Sequence, residues 1–150
     1  MEKVPWVGKH SFHERLDRGK AVITAWLDGG TVTKKAKGRL DYALDQLAQL
    51  PQQMWCKPNP ASSLGNHTYV IRFKENGGGQ LRIFGHFSAF HSAFVMTFDG
   101  FEKDNVYHPH DYEERAVSHK DKCEADASKS SIAFRDRCEP CREGVQSVRS

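Results

Sequence analysis

An α+β domain is the fold class that this sequence of 150 residues predicts. Three observations point to it. A strongly amphipathic helical segment lies in the first third, runs of alternating hydrophobicity fill the middle, and a further helical segment follows Pro109. The expected architecture is an N-terminal helical hairpin packed on a small antiparallel sheet of three to four strands, closed by a C-terminal helix. The length suits one domain, here residues 1–120, followed by a polar, cysteine-containing tail over 121–150. With 38% hydrophobic and 27% charged residues, the core should be small and the ends polar.

The helix at 33–50 is the clearest element. Ala36, Leu40, Ala43, Leu44, Leu47 and Leu50 recur at three- and four-residue steps, Thr31 or Thr33 can cap the start, and Pro51 stops it. Before it, Phe12, Leu16, Ile23, Trp26 and Leu27 fall on a less regular stripe. Gly29-Gly30 divides the two segments, which suggests a helical hairpin. From Pro51 to Gly65 the chain reads as a long connection tacked down by Trp55 and Leu64. The period then becomes two. His67, Tyr69, Ile71 and Phe73 share one strand face, and Thr68, Val70, Arg72 and Lys74 share the other. A glycine-rich turn over 75–79 leads to a second strand, Leu81 to Phe87, and a third runs from Ser92 to Asp99. Residues 110–120 read as a helix with Tyr112 and Ala116 inward; beyond 120 periodicity is lost.

Several function classes are excluded or left without support. A membrane span needs about 18 consecutive apolar residues, and no such run exists. Met1-Glu2-Lys3-Val4-Pro5-Trp6 is not followed by an apolar stretch, so no secretory signal is expected, and a soluble, cytoplasmic protein is. There is no Walker-type phosphate loop, no G-x-S-x-G elbow and no H-E-x-x-H pair. The net charge of +3 does not by itself call for a nucleic-acid partner. The basic excess is concentrated at Lys34, Lys35, Lys37 and Arg39, which read as a solvated helix face in preference to an RNA-binding stripe.

Three sets of residues carry chemistry. A hairpin centred near Gly77 sets Arg72 opposite Arg82, since each lies five residues away. Two cations so placed repel unless an anion or a carboxylate sits between them, which suits a phosphate site, set against a pair of exposed arginines with no role. The eight histidines include His108 and His110, which flank Pro109; imidazole titrates near neutrality and suits proton transfer. Cys138 and Cys141 form a C-x-x-C pair, and His119 lies four residues before Cys123. These four could hold a structural zinc in the tail, set against free thiols; a disulfide is disfavoured in a reducing compartment.

Taken in order, Tyr69-Val70-Ile71-Arg72, Leu81-Arg82-Ile83-Phe84, Phe98-Asp99-Gly100-Phe101-Glu102-Lys103, Pro109 and Ala116 resemble the RelE/ParE toxin superfamily. The similarity is to its phage-derived, HigB-like branch and covers about residues 15–120. That branch commonly shows an aromatic residue three before an arginine, then a hydrophobic-arginine pair. A Gly-Phe-x-Lys-Lys stretch follows, with a proline eight residues after the phenylalanine; Phe101 and Pro109 keep that interval. The resemblance implies a toxin that cuts translated mRNA on the ribosome without a small-molecule cofactor or catalytic metal, and that a cognate antitoxin neutralises. Under it Arg72, Arg82 and Lys103 fall on positions associated with binding or cleaving RNA. His108 is a second proton-transfer candidate, and Tyr107 and Lys74 are candidate RNA contacts. The sequence departs from the pattern at Asp104, where the family often has a second lysine, and Glu102 adds a further acid. The alternative is a non-enzymatic member that binds a protein target such as DNA gyrase, or a stand-alone interaction module.

Overall fold

The computed structural model describes residues 10–75, 77 and 79–134. Its first element is a strand, β1 (Ser11–Asp17), followed by the two-residue β2 (Lys20–Ala21). Two helices follow, α1 (Val22–Asp28) and α2 (Lys34–Gln49). Next come strands β3 (Ala61–Gly65), β4 (Thr68–Lys74), β5 (Gln80–Ser88), β6 (Ala93–Lys103) and β7 (Val106–His108). Helix α3 (Tyr112–Ala125) and strand β8 (Ser131–Ala133) complete the described chain.

Among the described residues the strands form one eight-stranded sheet ordered β2-β1-β6-β5-β4-β3, with β7 added to β6 and β8 to β1. The β3–β6 stretch is an antiparallel meander, whereas β1 lies parallel to β6. This overturns the expected helical hairpin on an antiparallel sheet of three to four strands. The sheet is mixed and larger, and the chain enters it through a strand rather than a helix.

The reason lies in β1 itself. Ser11, Phe12, His13 and Glu14 are all buried, so the strand is covered on both faces and shows no alternation to read. Its charged residues are satisfied by distant partners. Glu14 accepts hydrogen bonds from the Thr24 backbone N–H and hydroxyl, both at 2.6 Å. It thereby caps the first turn of α1, where Ala21 has no side chain to do so. Strand β3 was hidden for a different reason. Ala-Ser-Ser-Leu-Gly has little β propensity, and the segment is held by its pairing with β4.

The 33–50 segment is helical as its period indicates. Thr33 caps α2 by accepting from the Ala36 N–H at 3.2 Å, and the Ala36–Leu40–Leu44–Leu47 stripe is buried. Helices α1 and α2 cover one sheet face over a core of Phe12, Trp55, Ile71, Ile83, Phe94 and Met96. Helix α3 covers the other face over Val70, Phe84, Phe98 and Ala116. It runs past residue 120, and β8 then pairs with β1, so residues 121–134 are part of the same body. No helix among the described residues is long and apolar enough to cross a membrane.

Candidate functional site: a guanidinium cavity at the open end of the sheet

Cross-strand partners share a face, so the register defines rows of side chains on the α3 face. One row is Val70, Phe84 and Phe98, which lie beneath α3. The next is Arg72, Arg82 and Gly100, and the one after is Lys74, Gln80, Glu102 and Tyr107. The hairpin thus sets Arg72 opposite Arg82 as its symmetry about Gly77 implies, and Gly77 takes the positive φ (87°) that the turn requires. Arg72, Lys74, Gln80 and Arg82 of these rows, with Phe73 beside them, line a cavity of about 230 Å³.

The two guanidiniums are not equivalent. Arg72 donates to the Asn59 carbonyl at 2.6 Å, to the Ala61 carbonyl at 3.4 Å and to the Ser62 hydroxyl, so it braces the edge strand β3. Arg82 is 4% exposed. It donates to the Leu81 carbonyl (2.8 Å), the Gln80 side chain (2.7 Å) and the Glu102 carboxylate (2.8 Å). The Tyr107 ring lies 5.5 Å from its central carbon. Its Nε–H is buried without a hydrogen-bond partner among the described residues. A buried charged donor left unmade costs about 1–3 kcal/mol or more.

Lys103 and His108 are placed elsewhere. Alternation along β6 turns Phe101 and Lys103 to the face opposite Gly100 and Glu102, and Phe101 pairs with His108. His108 stacks on Phe101 with centroids 4.7 Å apart and also touches His110. Asp104, the departure from a lysine-rich pattern, is a turn residue. With Asn105 it adopts positive φ (55° and 64°) between β6 and β7, as a two-residue hairpin of mirror-image type demands. A second strand that begins at Leu81 and a third that ends at Asp99 leave out the pairing of Gln80 with Glu102. Extending the alternation of the third to 103 brings Glu102 opposite Gln80.

Gly100 holds the site together. A Cβ there would lie 2.1 Å from the His108 carbonyl oxygen and 2.7 Å from the Phe84 ring. Gly100→Ala is therefore expected to cost at least about 2 kcal/mol and to push β7, with Tyr107, away from Arg82. A chemical-denaturation midpoint and the Tyr107 environment in an NMR spectrum check both effects.

The candidate zinc ligands divide between described and undescribed residues. His119 and Cys123 lie one turn apart on α3, whereas Cys138 and Cys141 lie outside the described residues. Burial, then the charges of Arg15, Lys122 and Arg115, push the His119 pKa down to about 4. Burial pushes the Cys123 thiol up, with the Ser130 hydrogen bond acting the other way. Among the described residues no group of three or more His, Cys, Asp or Glu is arranged to hold a metal ion. A larger cavity, about 570 Å³, lies along α3, but Glu113, Glu114 and Asp121 line it and would repel a phosphate. Comparison with protein-family profiles, with curated proteins and with solved structures gives no match to this chain.

Proposed function

We propose that the chain is the toxin component of a type II toxin–antitoxin pair, cutting translated mRNA at a phosphate held by Arg82. The observation that carries this reading is the Arg82 guanidinium. It is buried, lines a cationic cavity, keeps one N–H without a partner among the described residues, is paired with the Glu102 carboxylate and lies over the Tyr107 ring. That set can run transesterification. The 2′-oxygen attacks phosphorus and the bond to the 5′-oxygen breaks, leaving a 2′,3′-cyclic phosphate and a 5′-hydroxyl.

Each residue then has one task. Glu102, held through Oε1 by Arg82, has its second oxygen available to take the 2′ proton. Arg82 and Lys74 stabilise the charge that builds on the phosphoryl oxygens. Tyr107 delivers a proton to the departing 5′-oxygen or stacks on a base. Lys103 and His108 face away from this phosphate. Phe101 (47% exposed) and Val106 (44% exposed) share their face, and they suit contact with a protein partner such as the cognate antitoxin. The cytoplasm is where such a toxin would meet mRNA and ribosomes.

The test is induced expression of the wild type beside Glu102→Gln and Tyr107→Phe, scoring growth and mRNA integrity at equal protein level. Wild-type arrest with mRNA loss is expected, and each variant should cleave about 100-fold more slowly or less, the usual scale for a proton-transfer group. Arrest with intact mRNA in all three would transfer the reading to a protein target, through the exposed Phe101 and Val106 face.

A further inference from the structure

We propose that a second cavity, between α3 and the end of β1, binds a phosphate group, either the free ion or one carried on a small ester. Its volume is about 390 Å³, and its walls include Arg15 and Asp17 of β1, His119, Lys122 and Cys123 of α3, and Ser130. The cavity shares no residue with the one at Arg82 and does not depend on the assignment made there.

Two cations line it against one acid. Arg15 is half-buried and Lys122 is exposed, and neither forms an ion pair among the described residues; nor does Asp17. Arg15 commits its Nε–H to the Thr97 carbonyl at 2.8 Å. That bond holds the guanidinium in place and leaves its terminal nitrogens without an acceptor among the described residues. Their fork of N–H groups matches the oxygens of phosphate. The His119 ring lies against Phe98, with centroids 5.5 Å apart, and a ring N–H adds a third kind of donor. Burial, then the charges of Arg15, Lys122 and Arg115, hold the His119 pKa at about 4, with Asp17 acting the other way. The cations and the ring therefore converge on one space. His119 and Cys123 line that space as half of a zinc site would, but two unneutralised cations beside them oppose a further cation and favour an anion.

The walls are fixed before a ligand arrives. The Leu16 N–H donates to the Ser130 carbonyl at 2.9 Å, which ties β1 to the turn before β8. The Ser130 hydroxyl donates to the Cys123 carbonyl at 2.9 Å, which ties that turn to α3. Binding then has little ordering cost to offset. The volume falls in the range of small-molecule sites, about 300–1,000 Å³. It exceeds what one phosphate group fills, so the remainder of an ester has room.

The test follows the His119 ring resonances by NMR at neutral pH and constant ionic strength. Inorganic phosphate, uridine 5′-monophosphate or uridine is added to the wild type, to Lys122→Gln and to Arg15→Gln. Saturable shifts are expected with both phosphates, at a Kd on the order of 1 mM or below, and none with uridine. Tighter binding of the monophosphate assigns the ester as ligand, and equal affinity assigns the free ion. Lys122 is a surface residue, so Lys122→Gln should fold, and it should bind about ten-fold more weakly. Arg15→Gln should abolish saturation. Linear shifts without saturation in the wild type, saturation by uridine alike, or wild-type affinity in either variant would overturn the site.

Discussion

The folded state is expected to lose about 6 kcal/mol of stability between pH 7 and pH 4, enough to unfold many domains of this size. Two fully buried histidines account for it. Burial first, and His91 at 4.0 Å second, lower the His13 pKa to about 4. Burial first, then Lys120 and His119 against the opposing Asp121, lower the His86 pKa to about 4 as well. Glu124 stands 3.5 Å from the His86 Nε2, and neither ring nitrogen of His86 has a hydrogen-bond partner among the described residues. Both folded-state values lie below the unfolded value near 6.5. Above that pH both states are neutral and nothing is lost.

As pH falls from about 6.5 to about 4, the unfolded chain takes protons that the folded chain refuses, and stability drops by about 1.4 kcal/mol per pH unit per group. Below about 4 the loss levels off. His119 acts in the same direction, and Asp99, whose carboxyl is raised by burial, opposes it in part. Urea midpoints measured at half-unit steps from pH 7.5 to 4 check this, and His86→Leu should flatten the curve by about half. Constant midpoints down to pH 4.5 would contradict it.

Trp55→Ala should cost about 3–5 kcal/mol, the range for removing a large buried aromatic. Trp55 is 1% exposed and sits at the centre of a ring cluster. Its closest ring contacts are Phe87 at 4.7 Å and Phe94 at 4.9 Å, with His10, Tyr69 and Phe12 around them. Its Nε1–H donates to the Leu50 carbonyl at 3.3 Å, which closes the end of α2 over the core. The urea midpoint should fall with the denaturant slope unchanged. Trp55→Phe keeps most of the ring packing and loses the Leu50 bond, so it should cost far less. Equal losses in the two variants would show that the indole hydrogen bond, not the packing, is what matters.

Some of this was readable from the chain and some was not, for identifiable reasons. Helix α2 follows from apolar periodicity because it has one wet side, and the strand face carrying Arg72 and Lys74 follows from alternation, although Val70 on that same face is buried beneath α3. The Arg72–Arg82 pairing follows from hairpin symmetry about Gly77. Strand β1 shows no alternation because its polar residues are buried against partners outside the strand, Glu14 against Thr24 on the next helix and His13 against Ser131 far along the chain. No local pattern reports such contacts. Phe12, Leu16 and Ile23 then looked like one helical stripe, although the first two lie on β1 and the third on α1.

The site shows the same division. Residue types pointed to Arg82, but only the register and alternation of β6 separate Glu102 from Lys103 and turn them to opposite faces. Arg72 looked equivalent to Arg82 in sequence; tertiary hydrogen bonds to Asn59, Ala61 and Ser62 make it a brace. Asp104 looked like a charge departure and is a conformational requirement of the turn.

The most direct measurement is the chemistry of the RNA ends. Transcript 5′ ends are mapped shortly after induction of the wild type and of Glu102→Gln, which preserves shape and can still accept from Arg82. Transesterification at the Arg82 cavity should yield new 5′-hydroxyl ends in the wild type and about 100-fold fewer in Glu102→Gln. Transcripts without new ends, or 5′-hydroxyl ends equally abundant in both, would contradict RNA cleavage at this site.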